Sequence, residues 1–361
     1  MQGDAAYMER ALLLAGRARG RTTPNPLVGA IVVTPGGIVA GHGYHARAGE
    51  PHAEIHALRA AGEAARGATL YCTLEPCSHV GRTPPCVDRI LDAGVARVVA
   101  AVEDPNPLVA GGGFRRLRDA GVRVDVGVGA FAARRQNRPF FSVMRRGRPY
   151  VMLKAVTSLD GRVAAASGGS THLSSAAADR RTHLLRSEVD AVAVGSGTLL
   201  ADDSRLTVRG VFRDRPLTRV VFDRRLRTPV SASVFATLDD GPVIIVTSAG
   251  AIESGRESAR ALEAAGATLV PAAPGLEAAL TALVPIGVQS VLIEGGPRIH
   301  AELWRERLAD AVRLVVTPRA LGPGGVPWVD GTAAPWASWR PISVEPCGAD
   351  IIIEADVYWT D

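Results

Sequence analysis

Cysteine is scarce in this 361-residue chain: three of its four copies (Cys72, Cys77, Cys86) lie close together, and Cys347 stands alone. That distribution argues against a disulfide framework. Aromatic residues are also few, at 5 %, and no long Lys/Arg run accompanies the net charge of +5, from 41 basic and 36 acidic residues. A nucleic-acid groove with stacking platforms is therefore not expected, whereas a small phosphorylated substrate or cofactor suits the balance. No apolar run reaches transmembrane length, so no membrane span is expected. Residues 1–7 carry an acid and no basic stretch ahead of an apolar core, which reads as a helix start instead of a signal peptide and points to the cytoplasm. No Gly-x-Gly-x-x-Gly follows an expected strand, so the standard dinucleotide-binding turn is unsupported. With 47 % hydrophobic residues over this length, two soluble domains are expected.

What the chain does contain is His52-Ala53-Glu54, followed by Pro76-Cys77, an eight-residue gap and Cys86. One imidazole and two thiolates give a tetrahedral Zn²⁺ three protein ligands and leave a fourth position for a water that the metal acidifies. Hydrolytic deamination of an amino-substituted ring needs that water, and also a carboxylate that is not a ligand, to move protons to ring nitrogen and leaving ammonia. His52, Cys77 and Cys86 are thus candidate zinc ligands, and Glu54 the proton carrier. The commonest deaminase spacing has two residues between the cysteines, so the longer gap is a departure. Pro51 before His52 and Pro84-Pro85 before Cys86 place two ligands where helices can begin, and a helix N-terminus favours a thiolate. The residues alone leave two alternatives open: a closed structural zinc site with His79, His56 or Cys72 as fourth ligand, or scattered cysteines and histidines with no metal.

Five of eight histidines and three of four cysteines precede residue 90, whereas the later sequence alternates Val/Ile strands with Ala-rich helices. Arg145-Arg146-Gly147-Arg148-Pro149 interrupts two periodic regions and marks an exposed connection, giving domains at 1–145 and 146–361. In the first, Asp4 can cap a helix over 4–19, and strands at 28–33 and 38–43 flank the turn Thr34-Pro35-Gly36-Gly37. A helix over 51–65, a strand at 68–73, a helix after Pro85 and a strand at 97–102 follow. The order αββαβαβ makes an α/β sandwich, with Cys77 after a strand end and Cys86 at a helix start. Asn25, between Pro24 and Pro26, is either a rigidly held amide that reads a pyrimidine edge or a plain turn residue. His45 and His79 are either phosphate or ring contacts, or surface and structural groups.

In the second domain, strands at 150–156, 191–195, 219–223, 243–247, 290–294, 312–317 and 351–358 and a helix over 175–187 give another α/β unit. A turn near Gly348-Ala349-Asp350 makes its last two strands an antiparallel hairpin, so the sheet is mixed. Strand 290–294 runs into Gly295-Gly296-Pro297 and a helix over 298–307. Glycines there allow close approach and free N–H donors suit a pyrophosphate, although an ordinary strand-to-helix turn looks the same. Thr198 and Asp202 either meet a ligand or cap a short helix.

The runs Pro51-His52-Ala53-Glu54, Thr73-Leu74-Glu75-Pro76-Cys77 onward to Cys86, and Asp104-Pro105-Asn106-Pro107-Leu108-Val109-Ala110-Gly111 resemble the bifunctional riboflavin-biosynthesis pyrimidine deaminase/reductase family. Leu153-Lys154, Ser158-Leu159-Asp160-Gly161, Gly197-Thr198 with Ala201-Asp202-Asp203, and Glu294-Gly295-Gly296-Pro297 are similar to its reductase half, so the likeness spans essentially the whole chain. The resemblance implies an N-terminal cytidine-deaminase-like α/β/α sandwich followed by a dihydrofolate-reductase-like α/β domain with a mixed sheet. It implies Zn²⁺ and NADPH as cofactors. It also accounts for the long cysteine gap, whose segment helps enclose a ribosylated pyrimidine phosphate, with contacts from Asn25, His45, His79 and Arg82. Family members can carry lysine at the last position, and arginine keeps the charge but changes the donor geometry.

By the same resemblance NADPH meets Val156, Thr198, Asp202 and the turn Gly296, Pro297, Arg298, Ile299, His300, Ala301 and Glu302, while substrate meets Ser170, Arg186, Leu206, Arg209 and Glu294. Arg186 and Arg209 suit the ribose phosphate. Arg224 or Arg225 either binds the cofactor's 2′-phosphate or belongs to a solvated loop. Related sequences commonly carry tryptophan in the segment Ser170-Thr171-His172-Leu173-Ser174, so His172 offers the cofactor a smaller, polar ring. The expected reactions are hydrolysis of the 2-amino group of 2,5-diamino-6-ribosylamino-4(3H)-pyrimidinone 5′-phosphate, with Glu54 catalytic, and reduction of its ribosyl to ribityl. For the second, Lys154 and Glu294 stand near the acceptor. A homo-oligomer is expected. The rival readings are a zinc deaminase of another nucleotide or of nucleic acid, and a zinc-stabilised binding module without activity.

Overall fold

Short runs of Val, Ile and Ala build two main sheets, seen in a computed structural model that describes residues 3–78, 85–329 and 339–357. The chain divides into two units, Met1–Gly147 and Arg148–Asp361. The first begins with α1 (Asp4–Gly16), β1 (Gly29–Val33), β2 (Val39–Tyr44), α2 (Ala53–Ala61), β3 (Thr69–Cys72) and α3 (Cys86–Asp92). It continues through β4 (Arg97–Ala100), α4 (Gly112–Asp119), β5 (Arg123–Val126), α5 (Ala130–Gln136) and α6 (Arg138–Arg146). Strand order is β2-β1-β3-β4-β5; β1 is antiparallel to both neighbours, and β3, β4 and β5 run parallel.

Glycine sets how closely the helices lie on this sheet. An ideal Cβ on Gly41 would sit 2.2 Å from Ala57 O, and one on Gly43 would sit 2.4 Å from His56 Cβ, so β2 admits α2 only because both side chains are missing. That close seat fixes the helix at whose N-cap His52 stands. Two expectations are corrected here. Asp4 does not cap α1; Gly3 is the N-cap, and the Asp4 carboxylate accepts from Tyr71 OH at 2.7 Å and from Arg97 at 3.0 and 2.7 Å, because a guanidinium fork is a stronger partner than a main-chain amide. The order αββαβαβ stops too early, since α4, β5, α5 and α6 follow. Their brevity and their arginines hide them: β5 reads Arg-Val-Asp-Val at a half-exposed edge.

The second unit runs β6 (Tyr150–Thr157), β7 (Arg162–Ala164), α7 (Ala176–Glu188), β8 (Ala191–Gly195), α8 (Ser196–Asp202), β9 (Thr218–Phe222) and β10 (Val243–Thr247). Then come α9 (Ala249–Ser254), α10 (Arg256–Ala264), β11 (Ala267–Pro271), α11 (Leu276–Thr281), β12 (Ser290–Ile293) and α12 (Pro297–Arg305). It ends with β13 (Ala311–Val316), β14 (Val326–Pro327), β15 (Arg340–Cys347) and β16 (Asp350–Asp356). The main sheet has the order β11-β10-β9-β8-β12-β6-β13-β16-β15, parallel from β11 to β13 and antiparallel at β16 and β15. The mixed sheet and its closing hairpin are as expected; β11 and the β7–β14 ladder were not. Parallel strands buried on both faces read as continuous apolar runs, and here Val151, Leu153, Ala193 and Ile293 pack with α11 and α12, while Val192, Val194 and Leu292 pack with α7 and α10. No helix among the described residues is long and apolar enough to cross a membrane.

Candidate active site

The ends of β3 and the starts of α2 and α3 bring three metal-ligating side chains together in the first unit. His52 Nδ1 lies 3.2 Å from Cys86 Sγ and 3.6 Å from Cys77 Sγ. Bonds of about 2.0–2.1 Å to nitrogen and about 2.3 Å to sulfur at tetrahedral angles require N···S separations of about 3.5 Å, so the triangle fits Zn²⁺. Main-chain contacts fix it: Cys86 N–H donates to Cys77 Sγ at 3.3 Å and Val87 N–H to Cys77 O at 3.3 Å. The side-chain hydrogen bond between the two sulfurs, with His52 beside them, holds the Cys77 thiol below its usual range despite burial and pushes Cys86 up, so Cys77 is the sulfur favoured as thiolate. Among the described residues no fourth His, Cys, Asp or Glu joins the group. Cys72, one alternative ligand, instead turns its Sγ to Val99 O at 3.8 Å.

Glu54, in the first turn of α2, is 3 % exposed, and its Oε2 has no hydrogen-bond partner. Burial pushes its carboxyl up to about 7, against the pull of His52. His52, Glu54 and Cys77 face a cavity of about 370 Å³ that Asn25 and His45 also line. His45 Nδ1 is 3.2 Å from Pro51 O, which can only accept; the ring therefore carries its hydrogen there and accepts from Asn25 Nδ2 at 3.0 Å through Nε2. That tautomer takes its hydrogen bond from the Asn25 amide nitrogen and leaves the Asn25 carbonyl oxygen without a partner among the described residues. Burial lowers the His45 pKa and keeps the ring neutral. The expected contacts His79 and Arg82 lie outside the described residues. Glu75, Asp104, Asn106 and Phe140 also line the cavity and were given no role from the sequence, although Glu75, Asp104 and Asn106 stand in runs that carried the family resemblance.

In the second unit, Lys154, Val156, Ser170, His172, Arg186, Asp202 and Arg209 line a cavity of about 340 Å³, together with Asp179 and His183. Arg186 is engaged within the chain: Nε and Nη2 donate to Glu294 at 2.6 Å each and Nη1 to Thr207 O at 2.6 Å. Burial would raise the Glu294 pKa, but Arg186 holds it at about 2. Burial lowers the pKa of Lys154 on β6. Exposed His172 pairs through Nε2 with Asp179 Oδ2 at 3.3 Å. Leu206 is 2 % exposed and packs in the core with φ of 55°, so only its main chain is free to meet a ligand.

Thr198, on α8, meets the turn between β12 and α12: an ideal Cβ on Gly296, whose φ is 79°, would lie 2.6 Å from Thr198 Oγ1. Bare backbone running into the N–H groups of Arg298 and its neighbours suits a dinucleotide phosphate, and Pro297 at the helix start has no N–H to lose. Arg298 is exposed, and Ala301 and Glu302 are half-buried. The Ile299 side chain points into the core, and His300 accepts from Trp328 Nε1 at 2.9 Å, so from these two only the main chain is offered. Arg224 is exposed just after β9.

Residues 1–102 match the family of cytidine and deoxycytidylate deaminase zinc-binding regions, and residues 149–353 match the RibD C-terminal domain. The riboflavin biosynthesis protein RibD of Aquifex aeolicus is 43 % identical over 322 residues, covering 89 % of this chain and 88 % of that one. The Escherichia coli protein of the same name is 44 % identical over 326 residues, with 88 % and 89 % covered. Among solved structures, Acinetobacter baumannii RibD superposes with a TM-score of 0.87 at 36 % identity, covering 98 % of each chain. A Thermotoga maritima diaminohydroxyphosphoribosylaminopyrimidine deaminase/5-amino-6-(5-phosphoribosylamino)uracil reductase gives 0.86 at 31 % identity, with the same coverage. The chain belongs to the RibD family, the zinc- and NADPH-dependent bifunctional deaminase/reductases of riboflavin biosynthesis.

Proposed function

We propose that the cavity of the first unit deaminates the ribosylaminopyrimidine phosphate and that the cavity of the second reduces its sugar, with the functional boundary at 145/146. The observation that carries the first half is the His52–Cys77–Cys86 triangle, open beside a buried Glu54 onto a cavity. His52, Cys77 and Cys86 would hold a zinc ion there, which would supply an acidified water for attack on the C–NH₂ carbon. Glu54 takes one proton from the attacking water and passes it to ring nitrogen, then takes the proton of the new hydroxyl and passes it to the departing amine, so that water enters and ammonia leaves. The free carbonyl of Asn25 reads a donor on the pyrimidine edge, with His45 behind it, and His79 and Arg82 serve the phosphate.

For the second reaction, opening of the ribosylamine, with its N–H proton passing to the ring oxygen, would expose C1′ as an imine; NADPH, when bound, would supply hydride to that carbon while the imine nitrogen takes a proton from solvent. Lys154 polarises the acceptor, with the Glu294–Arg186 pair beside it. Ser170, Leu206 and Arg209 hold the substrate with them. Val156, His172, Thr198, Asp202, Arg224 and residues 296–302 hold the cofactor. The same reading makes the protein a cytoplasmic homo-oligomer that acts on a small phosphorylated pyrimidine and not on nucleic acid.

A two-step assay tests both halves: ammonia release from the diaminopyrimidine, then loss of NADPH absorbance. The Glu54→Gln variant is expected to keep its zinc and lose about 10²–10⁴-fold in ammonia release. Ammonia release at the normal rate in that variant would remove Glu54 from the mechanism.

A further inference from the structure

Glu75 is 3 % exposed and has no cationic partner among the described residues, yet its carboxylate is fully used. Oε2 accepts from Asp104 N–H at 3.2 Å and Gly111 N–H at 2.9 Å; Oε1 accepts from Gly113 N–H at 2.9 Å and Phe114 N–H at 3.2 Å. The first pair brackets the loop between β4 and α4, and the second is the opening turn of α4. Two residues further on stands Cys77. The contact is close: an ideal Cβ on Gly113 would lie 2.0 Å from Pro76 O, so the two segments meet at bare main chain. The bracketed loop in turn presents Asp104, Asn106 and Val109 to the cavity in front of Glu54. One buried carboxylate therefore ties a sulfur ligand to the wall against which a substrate must rest.

Such an acceptor is hard to replace. Four N–H groups converge on two oxygens, and an amide would turn a donor toward one pair of them, leaving buried donors facing each other. Shells of this kind orient metal ligands, and their loss commonly weakens metal binding by about 10–100-fold. We infer that Glu75 is a positioning residue of the deaminase site, coupling the placement of Cys77 to that of the 104–111 loop, so that metal retention and pyrimidine binding depend on it together. The inference rests on the deaminase reading, and ammonia release by the unaltered protein tests that reading separately.

The test is Glu75→Gln in the full-length chain. The expected result is zinc affinity lower by about 10–100-fold in competition with a chelator, altered d–d absorption of the Co²⁺-loaded protein, and KM for the diaminopyrimidine raised by more than kcat is lowered. NADPH oxidation on the deaminated intermediate reports that the second unit has folded. Glu75→Asp keeps the charge but reaches only one pair of N–H groups, so it should fall between the two. A merely structural glutamate predicts a lower melting temperature with unchanged zinc affinity, Co²⁺ spectrum and KM in the folded fraction, and that outcome overturns the proposal. If neither variant folds, the unaltered protein decides: removing zinc should speed amide exchange at Gly111, Gly113 and Phe114, and unchanged exchange there would equally overturn it.

Discussion

Of the 41 basic residues in this chain, Lys154 is the only lysine. A guanidinium is planar, always charged and wide, whereas an ammonium is compact and gives up its proton when desolvated. Among so many arginines, the one position that keeps an ammonium lies in the cavity of the second unit, where burial lowers its pKa. Lys154→Arg is therefore expected to fold and to slow single-turnover NADPH oxidation by on the order of 10²-fold; a wild-type rate would take Lys154 out of the reaction. His300 supports a different prediction. Burial lowers its pKa to about 3, below the ordinary 6.5, so the folded chain resists the charged ring. Stability from this group is complete above about 6.5 and is lost as pH falls through that window toward 3. The melting temperature should drop over that range, and His300→Gln, which can still accept from Trp328, should flatten the drop.

At the scale of elements, the His52–Cys77–Cys86 triangle depends on how closely α2 lies on β2. Gly43→Val would force a side chain into His56 and the start of α2. A cost of about 1–3 kcal/mol is expected from overpacking, together with weaker zinc binding, measurable by thermal melting and chelator competition. This part of the site was legible in the sequence because the candidate ligand types and the proline before each of them point to both chemistry and location. The mixed sheet of the second unit was legible for a related reason: strands buried on both faces are written as unbroken Val/Ile/Ala runs. What escaped was written in shorter or less distinctive units. Helix α4 is eight residues long and arginine-rich, β11 reads Ala-Thr-Leu-Val-Pro with its middle half-exposed, and the cap on Asp4 was displaced by Arg97 from a distant strand. Glu75 could be quoted but not interpreted, since its four N–H partners come from residues 104 to 114, after an intervening helix and strand.

For the whole molecule, each unit has its own main sheet and its own cavity, and His52, Cys77 and Cys86 all belong to the first. Chelating zinc should accordingly abolish ammonia release and leave NADPH oxidation of the deaminated intermediate near its original rate; parallel loss of both would show that the reductase also depends on the metal. The strand order has a further consequence during synthesis. Strands of the first sheet find partners soon after they emerge: β1 pairs with β2 a few residues on, and β3 with β4 after one helix. By contrast β6, the opening strand of the second unit, pairs with β12 and β13, so Tyr150 waits for Ser290. A ribosome must therefore add some 140 residues before that strand has a neighbour on either side, with Val151 and Leu153 uncovered in the interval. The earlier half can be finished and loaded with its cation while the later half still needs shielding from other nascent chains.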